Sequence, residues 1–260
     1  MTVSASAFVF SGDLYIDRLT DAGVSTGFLD VSNATQLAIG ETTDIKTQLS
    51  KMRATRGQVL ATVATKKPAT LKLTLNQIDK DKLAMALLGS VSILTQGAAT
   101  IGAGTPTALT LIPGRWVQMP HTNITAHAAG TSPIVITKTA GSVNVPLTDV
   151  EFNLRQGLVK YVGTSLTAAT ACTMTYKYGS VAGYTISGST TPTIKATLLL
   201  DGLNVVDGTS VILTIDEATL TPSKEIDFLA DDFATLEMTG EMRTLSGKSA
   251  PYTVELINAA

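Results

Sequence analysis

Short runs that alternate apolar and polar residues, each closed by turn residues, recur along most of this 260-residue chain. A period of two puts every second side chain on one face of an extended backbone, so each run is a candidate strand. DVEFNLRQGLVKYV is the clearest. Val150, Phe152 and Leu154 fall on one face, Glu151, Asn153 and Arg155 on the other, and Gln156 and Gly157 supply the turn. In TMTYKY, Met174, Tyr176 and Tyr178 alternate with Thr173, Thr175 and Lys177. TIKATLLLDG sets Ile194, Ala196 and Leu198 against Lys195 and Thr197, then meets a turn signal at Asp201 and Gly202. Abundant β-branched Thr and Val favour pleated sheet in the same direction. The expectation is an all-β chain.

One segment breaks the pattern. NQIDKDKLAMALLGS carries a natural N-cap in Asp79, an Ile78 placed to staple onto Leu83, and a Gly89 where a left-handed C-terminal glycine belongs. The spacing predicts one short helix over 79–88, with Leu83, Ala86 and Leu87 lying on a sheet. A helix of about 10 residues does not persist alone, so packing has to hold it.

Residues 95–110 (TQGAATIGAGTPTALT) and 185–193 (TISGSTTPT) are poor in charge and rich in small residues. Between them lies a self-contained set of strand signals. This predicts a small β-domain over 93–185, inserted into a host domain built from 1–92 and 186–260.

Sites of known chemistry are missing. The single cysteine, Cys172, excludes an internal disulfide and sits in an alternating strand pattern, as a buried structural thiol would. His121 and His127 are the only histidines, too few for a zinc site with its three or more ligands. No G-x-S-x-G occurs, and GAGTPT at Gly102 lacks the last glycine of a dinucleotide fingerprint. No catalytic residue, cofactor or metal is expected, and the chain does not read as an enzyme. Its start, MTVSASAFVFSGDLYIDRL, has no basic leader before its apolar residues, and no apolar run approaches the roughly 20 residues of a membrane span. The expectation is a soluble protein made in a cytoplasm, without membrane insertion.

Charge is segregated, although the formal total is only −2. Residues 45–73 hold seven basic side chains (Lys46, Lys51, Arg53, Arg56, Lys66, Lys67 and Lys72) and no acid. Residues 201–241 hold ten acids against Lys224 alone. Six of the ten, Glu225, Asp227, Asp231, Asp232, Glu237 and Glu241, fall within TPSKEIDFLADDFATLEMTGE. Bulky residues in DFLADDF stand where a calcium loop needs ligands and a glycine. A glycosidase-like carboxylate pair would want an aromatic cleft, and Trp116 is the only tryptophan. A basic and an acidic segment far apart in the chain suit a head-to-tail contact between copies, which generates rings or helical stacks. Each exposed ion pair contributes only about 0–1 kcal/mol, so such a contact needs repetition. Solvated surface charge is the plainer alternative.

Four segments together resemble the major tail tube protein of tailed bacteriophages and prophages. GDLYIDRLTDAGVSTGFLDVSNATQLAI is similar to that family's opening strands. ETTDIKTQLSKMRATRGQVLATVATKKPATLKLTLNQIDKDKLAMALLG is similar to its long hairpin arm, next strand and packed helix. PGRWVQMPHTNI and DVEFNLRQGLVKYV resemble an inserted domain found in one branch. LLLDGLNVVDGTSVILTIDEATLTPSKEIDFLADDFATLEMTGEM is the most distinctive stretch. The resemblance implies a β-sandwich or barrel-like tube fold with one flanking short helix, plus a small Ig-like insert on the outside of the tube. It implies a structural virion protein of the tail, assembled in the host cytoplasm as six-membered rings stacked into a hollow conduit for DNA ejection. It maps an inter-subunit arm to about 40–68, carrying Lys46, Lys51, Arg53, Arg56, Lys66 and Lys67. The six acids would then line the lumen or receive a neighbour's arm. Implied partners are the chain itself, a tape-measure protein, tail terminator and tip or baseplate proteins, and viral DNA in passing. The rival is a carbohydrate- or receptor-binding β-module of a tail fibre or adhesin, which predicts an exposed aromatic platform around Trp116.

Overall fold

A computed structural model describes residues 7–125 and 134–257. The chain divides into two compact units, one of residues up to 91 with those from 186 onward, the other of residues 92–185. The first part of unit one holds strands β1 (Phe10–Arg18), β2 (Phe28–Asp30), β3 (Ala34–Gly40), β4 (Thr43–Leu49), β5 (Val59–Lys66) and β6 (Thr70–Leu75), then helix α1 (Lys80–Ala86). Ten strands follow: β7 (Ser90–Gln96), β8 (Ala99–Ile101), β9 (Thr107–Leu111), β10 (Trp116–Gln118), β11 (Ile124–Thr125), β12 (Val135–Lys138), β13 (Val150–Asn153), β14 (Leu158–Tyr161), β15 (Thr170–Tyr178) and β16 (Val181–Ser187). Unit one resumes with β17 (Ile194–Asn204), β18 (Ser210–Pro222), β19 (Leu236–Met242) and β20 (Tyr252–Ile257). The fold is all-β and antiparallel, with one α-helix among the described residues.

The main sheet of unit one runs β2-β1-β17-β18-β19-β6-β3, with β20 added beside β18. Alternation buries Leu14, Ile16, Leu71, Leu73, Leu198 and Met238 in one core. On the edge away from β17, strand β18 serves two partners in turn, pairing β20 over residues 210–215 and β19 over 218–222. The change of partner coincides with a bulge opposite Thr197, which restores inward alternation so that both Ile215 and Ala218 are buried. There the buried Glu217 carboxylate accepts from Arg243 Nη2 at 2.8 Å, and Arg243 N donates to Glu217 O at 2.9 Å. Phe10, Gly12 and Leu14 of β1 share a cavity of about 220 Å³ with Ala34 and Leu37 of β3, so the sheet curls until its two ends approach.

Helix α1 starts as its sequence predicts and ends differently. The Asp79 carboxylate accepts from the backbone N–H groups of Asp81 (3.0 Å) and Lys82 (2.9 Å). The turn closes with Leu88 N–H donating to Met85 O and Gly89 N–H to Ala84 O, a Schellman pattern. The left-handed residue is therefore Leu88, at φ 49°, and not Gly89. Gly89 is needed for another reason: a Cβ there would lie 2.4 Å from Ser187 O. The buried face is Lys82, Ala84 and Met85 rather than Leu83, Ala86 and Leu87, which stay half-buried. Two turns offer two apolar stripes, and small Ala84 lets the helix sit close against β18 and β19. The Lys82 ammonium is satisfied by Asp79 Oδ2 (3.1 Å) and Ser32 Oγ (3.2 Å).

Burial raises the Asp79 pKa, but hydrogen bonds from Lys82 and its charge outweigh that and hold the carboxyl below its ordinary value. A depressed carboxylate pKa contributes stability that is present above the unfolded-state value and fades as pH falls through the folded one. Asp79→Ala is therefore expected to cost about 1 kcal/mol near neutral pH. Denaturant melts of variant and parent should converge in acid, and a gap that widens as pH falls would count against this role for the cap.

Unit two has a three-stranded sheet, β10-β14-β13, and a five-stranded sheet in which β15 pairs with β8, β9, β11 and β12. They share a core of Leu111, Ile136, Val159, Tyr161, Cys172, Met174 and Tyr176. The β13–β14 hairpin has a four-residue loop rather than the expected two-residue turn, because Asn153 pairs with Leu158. Gly157 lies at φ 65°, and any Cβ there would meet His121 O at 2.0 Å. Strand β7 pairs with β16 as a separate ribbon.

Candidate functional site

Strands β4 and β5 pair only with each other, as a hairpin outside the main sheet. Thr43 faces Lys66 at the base, and Leu49 faces Val59 after a bulge near the tip. Residues 50–58 close the tip as a hydrogen-bonded loop. Ser50 N donates to Gln58 O at 2.8 Å, Gly57 N to Ser50 O at 2.9 Å, and the hydroxyls of Ser50 and Thr55 share a 2.7 Å bond. Gly57 permits this closure at φ 89°. The basic residues Lys46, Lys51, Arg53, Arg56 and Lys67 are all exposed, and the backbone of Lys66 belongs to β5. The arm is not free of acid, since Asp44 lies in β4 and Glu41 at its base. Glu41 accepts from the Tyr252 hydroxyl at 2.7 Å, a bond that raises the tyrosine pKa and ties the base of the arm to β20. Pairing puts Ile45, Thr47, Thr62 and Ala64 on one face of the ribbon, and Lys46, Gln48, Ala61 and Val63 on the other. Ile45, Leu49, Met52, Val59, Leu60 and Val63 all stay exposed, Met52 at 68%.

The six acids do not form one cluster. Glu225, Asp227, Asp231 and Asp232 are exposed in residues 223–235, the loop from β18 to β19. Glu237 and Glu241 lie in β19, on the side opposite buried Leu236 and Met238. Leu236 pairs with Leu75 and begins the strand, so the boundary between loop and sheet cuts through the acidic run. Glu237 is already compensated, with Lys224 Nζ at 3.6 Å and Lys72 Nζ at 4.0 Å. Within the loop, Phe228, Leu229 and Phe233 are 70%, 93% and 97% exposed.

Asp201, one of the ten acids of 201–241, comes together with two that sequence alone did not single out, Asp13 and Glu255. Asp13 of β1 stands directly opposite Asp201 of β17, which stands opposite Ile212 of β18 and, beyond it, Glu255 of β20. All three acids are exposed on the side of the sheet away from the core. Directly opposed like charges are unfavourable by roughly 0.2–1 kcal/mol, so the row is a cost to the single chain. Asp13 and Asp201 lie almost 190 residues apart in sequence, beyond the reach of any local pattern.

The other singled-out residues are accounted for by packing. Cys172 is buried in unit two, and burial pushes its thiol pKa up, away from thiolate chemistry. His121 stacks on Tyr178 at 3.8 Å between centroids, and its Nδ1 shares a 2.8 Å hydrogen bond with the Tyr176 hydroxyl. His127 lies outside the described residues. Among the described residues, no three His, Cys, Asp or Glu side chains gather where they could hold a metal ion. No helix among them is long and apolar enough to cross a membrane. Trp116 is half exposed, with Lys160 Nζ 5.6 Å above its ring, while the ring contacts of unit two join His121, Tyr176 and Tyr178.

What these features define is an all-β protein that exposes a basic, apolar hairpin and an acidic, apolar loop. Residues 7–251 match the family described as "Protein of unknown function UCP028589", and the chain belongs to that family. No curated protein matches it.

Proposed function

We propose that this chain is a structural virion protein that assembles with copies of itself into six-membered rings, stacked as the hollow tail tube through which DNA leaves. One observation carries the reading: the 43–66 hairpin holds six exposed large apolar residues and pairs with no other strand. A two-stranded hairpin is marginal in water on its own, and exposed apolar surface of this extent marks an interaction site. A second copy of the chain supplies the cover, because a heterologous contact repeated from copy to copy builds rings and stacks without a further partner.

The acids support the same reading in two ways. On the outward side of the sheet Asp13, Asp201, Glu241 and Glu255 outnumber Lys72 and Lys195, a negative balance suited to a lumen. Fixed negative charge repels phosphate and keeps DNA sliding rather than sticking. Unit two, two antiparallel sheets over one core, is read as an Ig-like domain on the outside of the tube. A tape-measure protein would occupy the lumen, and terminator and tip or baseplate proteins the ends. Among the described residues no aromatic ring pairs with Trp116, which has Lys160 Nζ 5.6 Å from its centroid, and this gives the carbohydrate-binding rival no aromatic platform.

Sedimentation velocity checks the proposal. Purified protein should form fast-sedimenting polymer as concentration rises, and added salt should shift it back toward slower species. A single monomeric species at every concentration and ionic strength counts against it.

A further inference from the structure

We infer that the 223–235 loop is the seat for the hairpin tip of a second copy of this chain. The inference rests on the self-assembly reading and adds to it which surfaces meet. The loop does not hang free from the sheet. Ser223 N donates to Glu237 O at 2.9 Å, Lys224 Nζ donates to Thr235 Oγ1 at 3.1 Å, and Asp227 Oδ1 accepts from Leu229 N at 2.8 Å. A clamped base and an internal turn hold Phe228, Leu229 and Phe233 outward, where they gain nothing from their own chain. Beside the base lies a groove of about 610 Å³, lined in part by Leu87, Leu88, Pro222 and Ile226. Exposed aromatic side chains are frequent centres of a protein contact.

The hairpin tip matches it in chemistry and opposes it in sign. Met52 stands at the apex with Leu49, Val59 and Leu60 behind it, and Lys51, Arg53 and Arg56 surround them. On the loop, the exposed Glu225, Asp227, Asp231 and Asp232 flank Phe228, Leu229 and Phe233 in sequence. Each surface interleaves exposed apolar residues with charged ones, basic on the tip and acidic on the loop. That arrangement orients partners and rejects a like pairing. A methionine thioether is well suited to aromatic rings. Both surfaces are bare in the single chain, so neither covers the other within it. Each copy has one tip and one loop, so the contact runs head to tail and does not close as a dimer. Glu237, neutralised by Lys72 and Lys224, belongs to the base of the loop and not to the seat.

Disulfide trapping tests the contact directly, because buried Cys172 does not compete for an oxidant. The full-length variant Met52→Cys/Phe233→Cys, oxidised under conditions where the parent polymerises, should give a ladder of linked multimers on a non-reducing gel. The control Met52→Cys/Val205→Cys, which pairs the tip with another exposed position, should not. Polymer without a 52–233 ladder, or equal ladders from both pairs, overturns the inference and leaves self-assembly standing. A second variant does not depend on cysteine chemistry. Phe228→Ser/Phe233→Ser should keep the parent's circular dichroism and lose roughly tenfold or more of its pelletable polymer, since each 1.4 kcal/mol of lost contact is a factor of ten. If it polymerises like the parent, the loop is not the seat. If the parent itself never polymerises, the underlying reading falls and takes this inference with it.

Discussion

Replacing Lys51, Arg53 and Arg56 together by glutamate is expected to abolish polymer while leaving the melting temperature close to the parent's. All three side chains are exposed, and the tip is closed by Ser50, Thr55 and Gly57. Exposed substitutions away from special features usually stay within about 0.5 kcal/mol of neutral. Between copies the balance differs, because three reversed charges then face an acidic loop, and like charges brought together cost several kcal/mol. Repeated at every contact of a stack, that is far more than a marginal polymer tolerates. Thermal melts and sedimentation of the same sample separate the two effects. Normal polymer from a folded triple variant would remove the charged tip from the assembly contact.

Gly240→Val should damage the fold itself. Gly240 lies in β19 between Leu220 of β18 and Leu71 of β6. A Cβ there would sit 2.1 Å from Thr219 O and 3.0 Å from a Leu220 methyl. The obstructing atom is a backbone oxygen inside a paired ladder, so the side chain cannot be accommodated by a rotamer change. Overpacking of this kind costs typically about 1–3 kcal/mol and more where backbone must move, against a total stability of roughly 5–15 kcal/mol. The variant should melt much lower or appear insoluble. Gly97→Ala is the matched control, since nothing lies within 4 Å of its would-be Cβ. Similar melting of the two variants would show that the β18–β19 ladder is looser than its register implies.

The features legible in sequence were those set by near neighbours. Alternation marked β13, β15 and the first part of β17, because a strand's buried face depends on every second residue of the same run. The turn expected at Asp201 and Gly202 is instead paired strand, and β17 runs on to Asn204. The Asp79 cap was legible because its contacts lie two and three residues away. The helix face and its end were misread, since the sheet selected Ala84 and Met85 and the turn placed Leu88, not glycine, in the left-handed region. The acids were expected to serve two places, but the sequence did not show where the division falls: strand β19 begins at Leu236 and leaves four of the six in the loop and two on the sheet. Asp13, Asp201 and Glu255 meet only through strand pairing, which no local pattern announces. The apolar exposure of the hairpin and of Phe228, Leu229 and Phe233 was equally hidden. The same residues would be core in a chain that covered them.

Negative-stain electron microscopy of the purified protein, concentrated at low salt and again at high salt, bears most directly on the central claim. Hollow tubes or stacked six-fold rings, shortened or dispersed by salt, are the predicted result. Discrete single particles under both conditions, with neither rings nor tubes, would contradict it.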